Sequence, residues 1–584
     1  MSHDVGVSNT TGENLTNTKA DTILVNGRIA TLDNHDSFHS AVAISNGRFQ
    51  AVGRDTEVLD YRDSNTQIID LGGRTVIPGL IDSHNHFVRE GLNFNLELRW
   101  DGIRSVAEGL AMLREQVKRT PSPQWVRVVG GWSEYQFSER VMPTLEQINE
   151  ISPTTPVFVM HLYHCALLNR AAVQAVGYDK QTPQPTGGEI QHDKDGNPTG
   201  WLVSRPNASI LYSTHAKGPK LSYDDQVNST LQFMREMNRF GVTGVIDAGG
   251  GFQNYPTDYV VINDLARQNR LTVRIAFNLF TQRPKHELED FTNWAEVTKP
   301  GPIGEFLRVN GAGEMLVYSA ADFEDFPEPR PDLPKEMESE LKTVVGLLAK
   351  EKWPFRLHAT YGESIERFLN VFEEVNDETP IEGLRWFLDH AETISDRDIK
   401  RVHELGGGIA IQDRMAYQGE SFISRYGEDA AEEAPPIRKM LDVGVPVGAG
   451  TDATRVASYN PWISLSWLVT GKTVGGTTLY SPKNRLSRPE ALRLYTSGSA
   501  WFSNEESLKG SIEVGKYADL AVLSADYFTV PDDEIKRIES VLTIAGGKVG
   551  YGEGEFSRFA PPPLPVSPSW SPVGKFESFS HKGC

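Results

Sequence analysis

The chain has 584 residues, of which 39% are hydrophobic and 23% charged, with a formal net charge of −20. This length exceeds one ordinary core and fits a domain of barrel size with accessory parts. The acidic excess opposes nucleic acid and anionic membrane surfaces, and no apolar run is long enough to cross a bilayer. Two cysteines, Cys165 and Cys584, cannot build a disulfide framework, which suits a reducing, cytoplasmic setting.

Residues 1–20 are rich in Asn, Thr, Ser and Gly, with neither a basic start nor an apolar segment, and read as a loose tail rather than a signal peptide. From residue 21 to 75, short apolar runs turn at Asn26-Gly27 and Asn46-Gly47, the pattern of β-hairpins. Similar strands return within 505–558, in Lys516 to Leu523 and Ser540 to Val549. Isolated hairpins are marginal in water, so both chain ends are expected to combine into one small β-sandwich.

Between them, 76–504 alternates strand-like runs with amphipathic stretches, which predicts a parallel α/β architecture. Polar residues stand at the carboxyl ends of these runs, where a closed (β/α)8 barrel gathers its reactive groups. A segment of about 101–206 fits the repeat poorly and is expected as an insertion near the barrel mouth, with a β-ribbon at Gly187-Gly188 and Asp195-Gly196-Asn197-Pro198. The Pro- and Ser-rich stretch over 559–584 is expected to be extended, either covering the body or hanging free.

The first run of this central region, Val76 to Ile81, continues into His84-Asn85-His86. Side chains two apart on a strand share a face, so the two imidazoles can chelate one divalent ion. Alone the pair is weak. Two more histidines end apolar runs that precede helices, His358 in Phe355-Arg356-Leu357-His358 and His390 in Phe387-Leu388-Asp389-His390, and Asp452 follows the small residues Gly448-Ala449-Gly450. The candidate ligands are therefore His84, His86, His358, His390 and Asp452.

With these residues in place the chain resembles the amidohydrolase superfamily, whose distorted (β/α)8 TIM-type barrel carries metal at its carboxyl-end mouth. Pro78-Gly79-Leu80-Ile81-Asp82-Ser83-His84 and Gly510-Ser511-Ile512-Glu513-Val514-Gly515-Lys516 are also typical of it. His164-Cys165-Ala166-Leu167-Leu168-Asn169, Gly187-Gly188-Glu189-Ile190 and Pro198-Thr199-Gly200 look like its large branch of N-substituted formamide deformylase-like and exoenzyme-regulator-like proteins.

The resemblance implies a divalent metal, most suitably zinc, as one or two ions, and hydrolysis of a non-peptide C–N bond in a small amide, formamide or cyclic amide. His84, His86 and His358 would hold a catalytic ion, and Asp452 would act as general base and then acid. His390 would bind a second ion or hydrogen-bond the oxyanion. One departure matters: the strand-four position that holds a carbamylated lysine in many relatives has none in Glu305 to Glu314. Glu314 could bridge two ions instead; the favoured expectation is a structural carboxylate paired with an arginine or lysine, and one ion rather than two.

His164, Arg414 and Arg455 are candidate substrate contacts, the arginines as clamps for a carboxylate, although salt bridges to neighbouring acids compete with that role. A deaminase on the same scaffold is the first rival; the acid three positions past the strand-five histidine that mononuclear deaminases often use is Tyr361 here, with Glu363 two further on. A non-catalytic regulatory barrel is the second. The expected partner is a small molecule, with a homodimer as the commonest default assembly.

Overall fold

The computed structural model describes residues 19–185, 187–205, 208–323 and 326–576. Most of the expected N-terminal tail, the end of the Pro- and Ser-rich tail and Cys584 lie outside the described residues.

Eight strands run parallel in the central region: β1 (Leu80–Asn85), β2 (Val242–Asp247), β3 (Arg274–Leu279), β4 (Leu307–Ala312), β5 (Arg356–Ala359), β6 (Phe387–His390), β7 (Gly408–Gln412) and β8 (Val447–Gly450). Their burial is nearly continuous, as expected for strands covered on both faces. Amphipathic helices supply the outer cover. Tyr223–Arg239 is capped by Ser222, opens with Asp224 and Asp225, and buries Phe233, Met234 and Met237. Gly362–Glu378 buries Ile365, Phe368, Leu369 and Phe372 at helical spacing.

The architecture is TIM-barrel-like, but the expected closed barrel is not one continuous ladder. The strands pair as two arcs, β1 to β4 and β5 to β8. Among the described residues the arcs meet at isolated bridges, Asn85 with Ala453 and Ala312 with Phe355, and through amides such as Asp452 N–H to His84 O at 2.8 Å and His358 N–H to Glu314 O at 3.1 Å. Between β1 and β8 a side chain substitutes for the ladder. Asp82 Oδ1 accepts from the amides of His84 and Thr451, each at 3.1 Å, and Oδ2 accepts from Thr451 Oγ1 at 2.6 Å.

Both chain ends contribute to one six-stranded sheet, in which Leu520–Leu523 pairs with Thr75–Pro78 and with Ser540–Ala545. A four-stranded sheet is made from residues 22–70. Leu24, Ile44, Phe49 and Ile69 of the smaller sheet share one buried cluster with Ile29, Val76, Leu520 and Leu542 of the larger.

A further six-stranded sheet spans Glu97–Leu98 to Pro198–Ser204 and ends in a hairpin of Gly188–His192 with Pro198–Ser204. Its turn is fixed by Asp193, which accepts from the amides of Asp195 and Asn197. The Pro- and Ser-rich segment crosses the body. Backbone oxygens of Leu564, Pro565, Ser567 and Trp570 accept from Gln232, Asn228, Asn95 and Gln116. No described helix is long and apolar enough to cross a membrane.

Candidate metal centre

The carboxyl ends of β1, β4, β5, β6 and β8 bring His84, His86, Glu314, His358, His390 and Asp452 into one buried cluster. His84 Nε2 lies 3.4 Å from both Glu314 Oε2 and Asp452 Oδ1. His86 Nε2 is 3.0 Å from Asp452 Oδ1 and 3.8 Å from Glu314 Oε1. On the other side, His358 Nδ1 and His390 Nε2 stand 3.4 Å and 3.5 Å from Glu314 Oε2, and 2.8 Å from each other. Three overlapping sets, His84–His390–Asp452, His84–His86–Glu314 and Glu314–His358–His390, each offer ligand atoms within 4.8 Å of one another.

Glu314 departs from its expected role. Among the described residues it pairs with no arginine or lysine; its ionic neighbours are the four histidines. Its position just past β4 aims it into the mouth, and the nearest basic side chains are engaged elsewhere: Arg356 with Asp389, and Arg414 with Asp452.

Hydrogen bonds outside the cluster fix the rings. His84 Nδ1 lies 3.0 Å from Asp389 Oδ1 and 2.7 Å from Arg356 Nη2, and Asp389 is held in turn by Arg356 Nε at 2.8 Å. This leaves His84 Nε2 buried and without a hydrogen-bond partner among the described residues, facing the Glu314 and Asp452 carboxylates. His86 Nδ1 donates to the Gly249 carbonyl, and its Nε2 meets Asp452 Oδ1 at 3.0 Å. His358 turns Nε2 toward Thr360 Oγ1 at 3.2 Å and presents Nδ1 to Glu314. His390 differs. Its Nδ1 accepts from Arg414 Nη2 at 3.2 Å, which puts the ring proton on Nε2, inside the cluster.

Burial alone would raise the Asp452 carboxyl, yet His84, His86 and Arg414 hold it well below the usual carboxylate range. Burial opposes ionisation of Glu314 as well, and His84, His358 and His390 hold it low. Burial, Arg414 and His358 push His390 down to about 3. Burial works against the charge on His84, but Asp389 chiefly, with Asp452 and Glu314, lifts it to about 9. Two ionised carboxylates and four imidazoles form a donor set that suits a borderline divalent cation, which would displace the His84 proton. His390, Ala391 and Asp452 also have φ of 79°, 57° and 52°. Such left-handed backbone in non-glycine residues at strand ends costs on the order of 1–3 kcal/mol each and is typical of functional sites.

Arg414 does not stand free as a substrate clamp. It is fully buried, with Nη2 2.7 Å from Asp452 Oδ2 and Nη1 3.5 Å from Glu392 Oε1. Arg455 is buried beside Tyr212, its guanidinium carbon 4.6 Å from the ring centroid. His164 is half-buried on the loop before Cys165–Leu168, its ring 6.4 Å from that of His161. Glu363 points away from the cluster and pairs with Arg330. Sequence reasoning missed Asp389 and Arg356. Arg356 lies two before His358 on β5, the same-face spacing that revealed His84 and His86.

A model of the amidohydrolase family matches residues 67–551. The N-substituted formamide deformylase of Arthrobacter pascens is 27% identical over 556 residues, covering 91% of this chain and 98% of that protein. Protein LONG AFTER FAR-RED 3 of Arabidopsis thaliana is 26% identical, covering 91% and 92%. An uncharacterized metal-dependent hydrolase from Pyrococcus furiosus superposes with a TM-score of 0.63 at 22% identity, covering 87% of this chain and 100% of that one. Over more than four-fifths of its length, and with the histidine and carboxylate cluster at the mouth of its parallel strands, this chain belongs to the amidohydrolase family, hydrolases of carbon–nitrogen bonds other than peptide bonds.

Proposed function

We propose that the chain hydrolyses the C–N bond of a small amide, formamide or cyclic amide, using Asp452 as general base and acid beside a divalent metal. The observation that carries this is the convergence of four imidazoles and two carboxylates in one buried cluster. The likeness to a formamide deformylase along nearly the whole chain supports the substrate class.

A bound cation, zinc suiting these ligands, would polarise the carbonyl and acidify water. The remaining work belongs to the side chains. Asp452 Oδ1 faces the cluster and is held ionised, so it accepts the proton of the attacking water and returns it to the leaving nitrogen. Arg414 grips Oδ2 and fixes the direction of that transfer. His86, His84 and Glu314 would hold one ion with Asp452; only in a two-ion alternative would Glu314 join it to a second held by His358 and His390.

A one-ion site is favoured by the Arg414–His390 contact, which leaves His390 an N–H to donate to the substrate oxygen. The two sheets built from 21–75 and 505–558 are read as a β-sandwich bracing the barrel, which their shared apolar cluster supports.

The test is a panel of N-formyl, N-acyl and cyclic amides offered to metal-loaded protein, with amine or acid release followed. Hydrolysis of a formamide or amide is expected, with about one or two divalent ions per chain. Ammonia release from ring amines alone would favour a deaminase, and purified protein without stoichiometric metal would favour a regulator.

A further inference from the structure

We propose that Arg89 and Arg455 form an anion subsite beside the histidine cluster, and that the substrate carries a carboxylate which binds there. Its meaning for substrate rests on the hydrolase reading above; the subsite itself rests on the two arginines.

Arg89 lies three residues past His86 and Arg455 three past Asp452, so both stand at the mouth, beyond the ends of β1 and β8. They are 6% and 3% exposed. Their guanidinium carbons lie 5.3 Å and 4.6 Å from the centroid of one ring, Tyr212. A Cβ at Gly250 would meet Arg89 Nη1 at 3.0 Å and His86 Nδ1 at 3.5 Å, which sets the Arg89 head group against a candidate ligand.

Neither arginine forms an ion pair among the described residues. Arg89 Nε and Nη2, and Arg455 Nε and Nη1, are buried without hydrogen-bond partners there.

The acids nearby are already engaged. Glu90 is bonded to Arg99 and Thr454, and Asp452 Oδ2 to Arg414. Glu97 contacts Arg99 at 2.5 Å, and burial and Glu90 push its carboxyl up. Arg127 adds a third buried guanidinium, bonded to the Pro219 carbonyl and depressed by burial to about 10. Burial, with Arg455, Arg127 and Arg89, keeps His215 neutral.

Buried guanidiniums with unmet N–H groups and no carboxylate in direct contact are destabilising. Both deficits are removed by one anion between the arginines. A planar carboxylate matches the guanidinium fork in bidentate geometry. Tyr212, half-buried and donating to the Tyr163 hydroxyl, forms the wall on which both guanidiniums rest.

The test uses the full chain. Metal is first stripped with chelator, so that binding is read without hydrolysis, and hippurate is titrated by calorimetry against its primary amide. Hippurate is expected to bind about ten- to a hundredfold more tightly, the value of charged hydrogen bonds. Arg455→Met and Arg89→Met should erase that preference, and Arg455→Lys and Arg89→Lys should retain part of it.

Metal-loaded protein should then show a lower KM for N-formylphenylalanine than for N-formylphenethylamine. Equal binding of acid and amide by the unmodified protein, or tighter binding of phenyl phosphate than of hippurate, would overturn the carboxylate subsite whatever the variants do. Carboxylate binding without hydrolysis of any compound would instead sink the hydrolase reading and leave the subsite standing.

Discussion

Arg414 Nη2 lies 2.7 Å from Asp452 Oδ2, so the carboxylate that faces the histidines through one oxygen is gripped by a fully buried guanidinium through the other. Arg414 opens the helix Arg414–Tyr426 directly after β7. It reaches across one strand to the end of β8, and the same nitrogen also touches His390 Nδ1 at 3.2 Å. The proposed base and a ring of the cluster are therefore oriented by one side chain.

Replacing Asp452 with Asn is expected to lower kcat by at least about a thousandfold, since the amide can neither accept the proton nor carry the charge. Arg414→Gln should act more mildly, by about ten- to a hundredfold, because it disturbs orientation rather than chemistry. Steady-state kinetics on both variants, with circular dichroism to confirm folding, checks the pair. Near-normal turnover in the Asp452 variant would remove it from the mechanism.

His84 is held through Asp389, and Asp389 through Arg356. In the Asp389→Asn variant the buried Arg356 loses its ionic partner, and His84 loses the carboxylate beside its Nδ1. Metal affinity should fall by about ten- to a hundredfold, measured by competition with a chromophoric chelator. Because a buried pair is broken, thermal stability should fall as well, by about 3–5 kcal/mol.

Metal content tests Glu314 most directly. If it joins two ions, the unmodified protein loaded with zinc should carry about two per chain and Glu314→Gln about one, by elemental analysis. A count of one in both proteins would favour the arrangement in which His390 donates a proton.

The clustering of the candidate residues was legible because a strand turns apolar-to-polar at its carboxyl end, and because His84 and His86 show the period of two directly. The hairpins at Asn26-Gly27 and Asn46-Gly47 were legible for a similar local reason. What the sequence could not show was pairing between distant side chains. Whether Glu314 meets an arginine depends on where Arg414 and Arg356 spend their charge, and both are committed to aspartates on neighbouring strands. The break in the ladder was hidden too: Asp82 imitates a strand's carbonyl with its own side chain, and no periodicity records that.

Acid stability should depend on Glu505. Its carboxylate lies 2.6 Å from Lys509 Nζ and 3.5 Å from Arg308 Nη1, and the Glu505 and Lys509 side chains are 13% and 2% exposed. Burial opposes its charge, but Lys509 above all, then Arg308, hold it at about 2, below the ordinary range of a glutamate. A depressed carboxyl contributes stability that is fully present above its unfolded pKa and is lost as pH falls through its folded one. The contribution, on the order of 3 kcal/mol, should therefore be whole at pH 7 and fade between about pH 4.5 and 2. Urea unfolding of the protein and of Glu505→Gln at several pH values measures it: the two curves should differ at pH 7 and converge toward pH 2.

Gly450 closes β8 where it crosses β1. A Cβ there would lie 2.4 Å from His84 N, 2.7 Å from Asp82 Oδ1 and 2.9 Å from His84 Cβ. None of these atoms can yield cheaply, since His84 N and Asp82 Oδ1 are bonded to each other and Asp82 also carries Thr451. One methyl group would push the two arcs apart at the point where His84 and Asp452 face each other. Gly450→Ala is therefore expected to lose metal affinity and turnover together, and to lower stability by about 1–3 kcal/mol, the usual cost of overpacking. Gly448→Ala, on the same strand, would meet Phe502 and Ser499 instead, at 2.7 Å and 3.2 Å. It should lower stability while keeping metal affinity, so comparing the two by metal competition and thermal unfolding separates damage to the site from damage to the core.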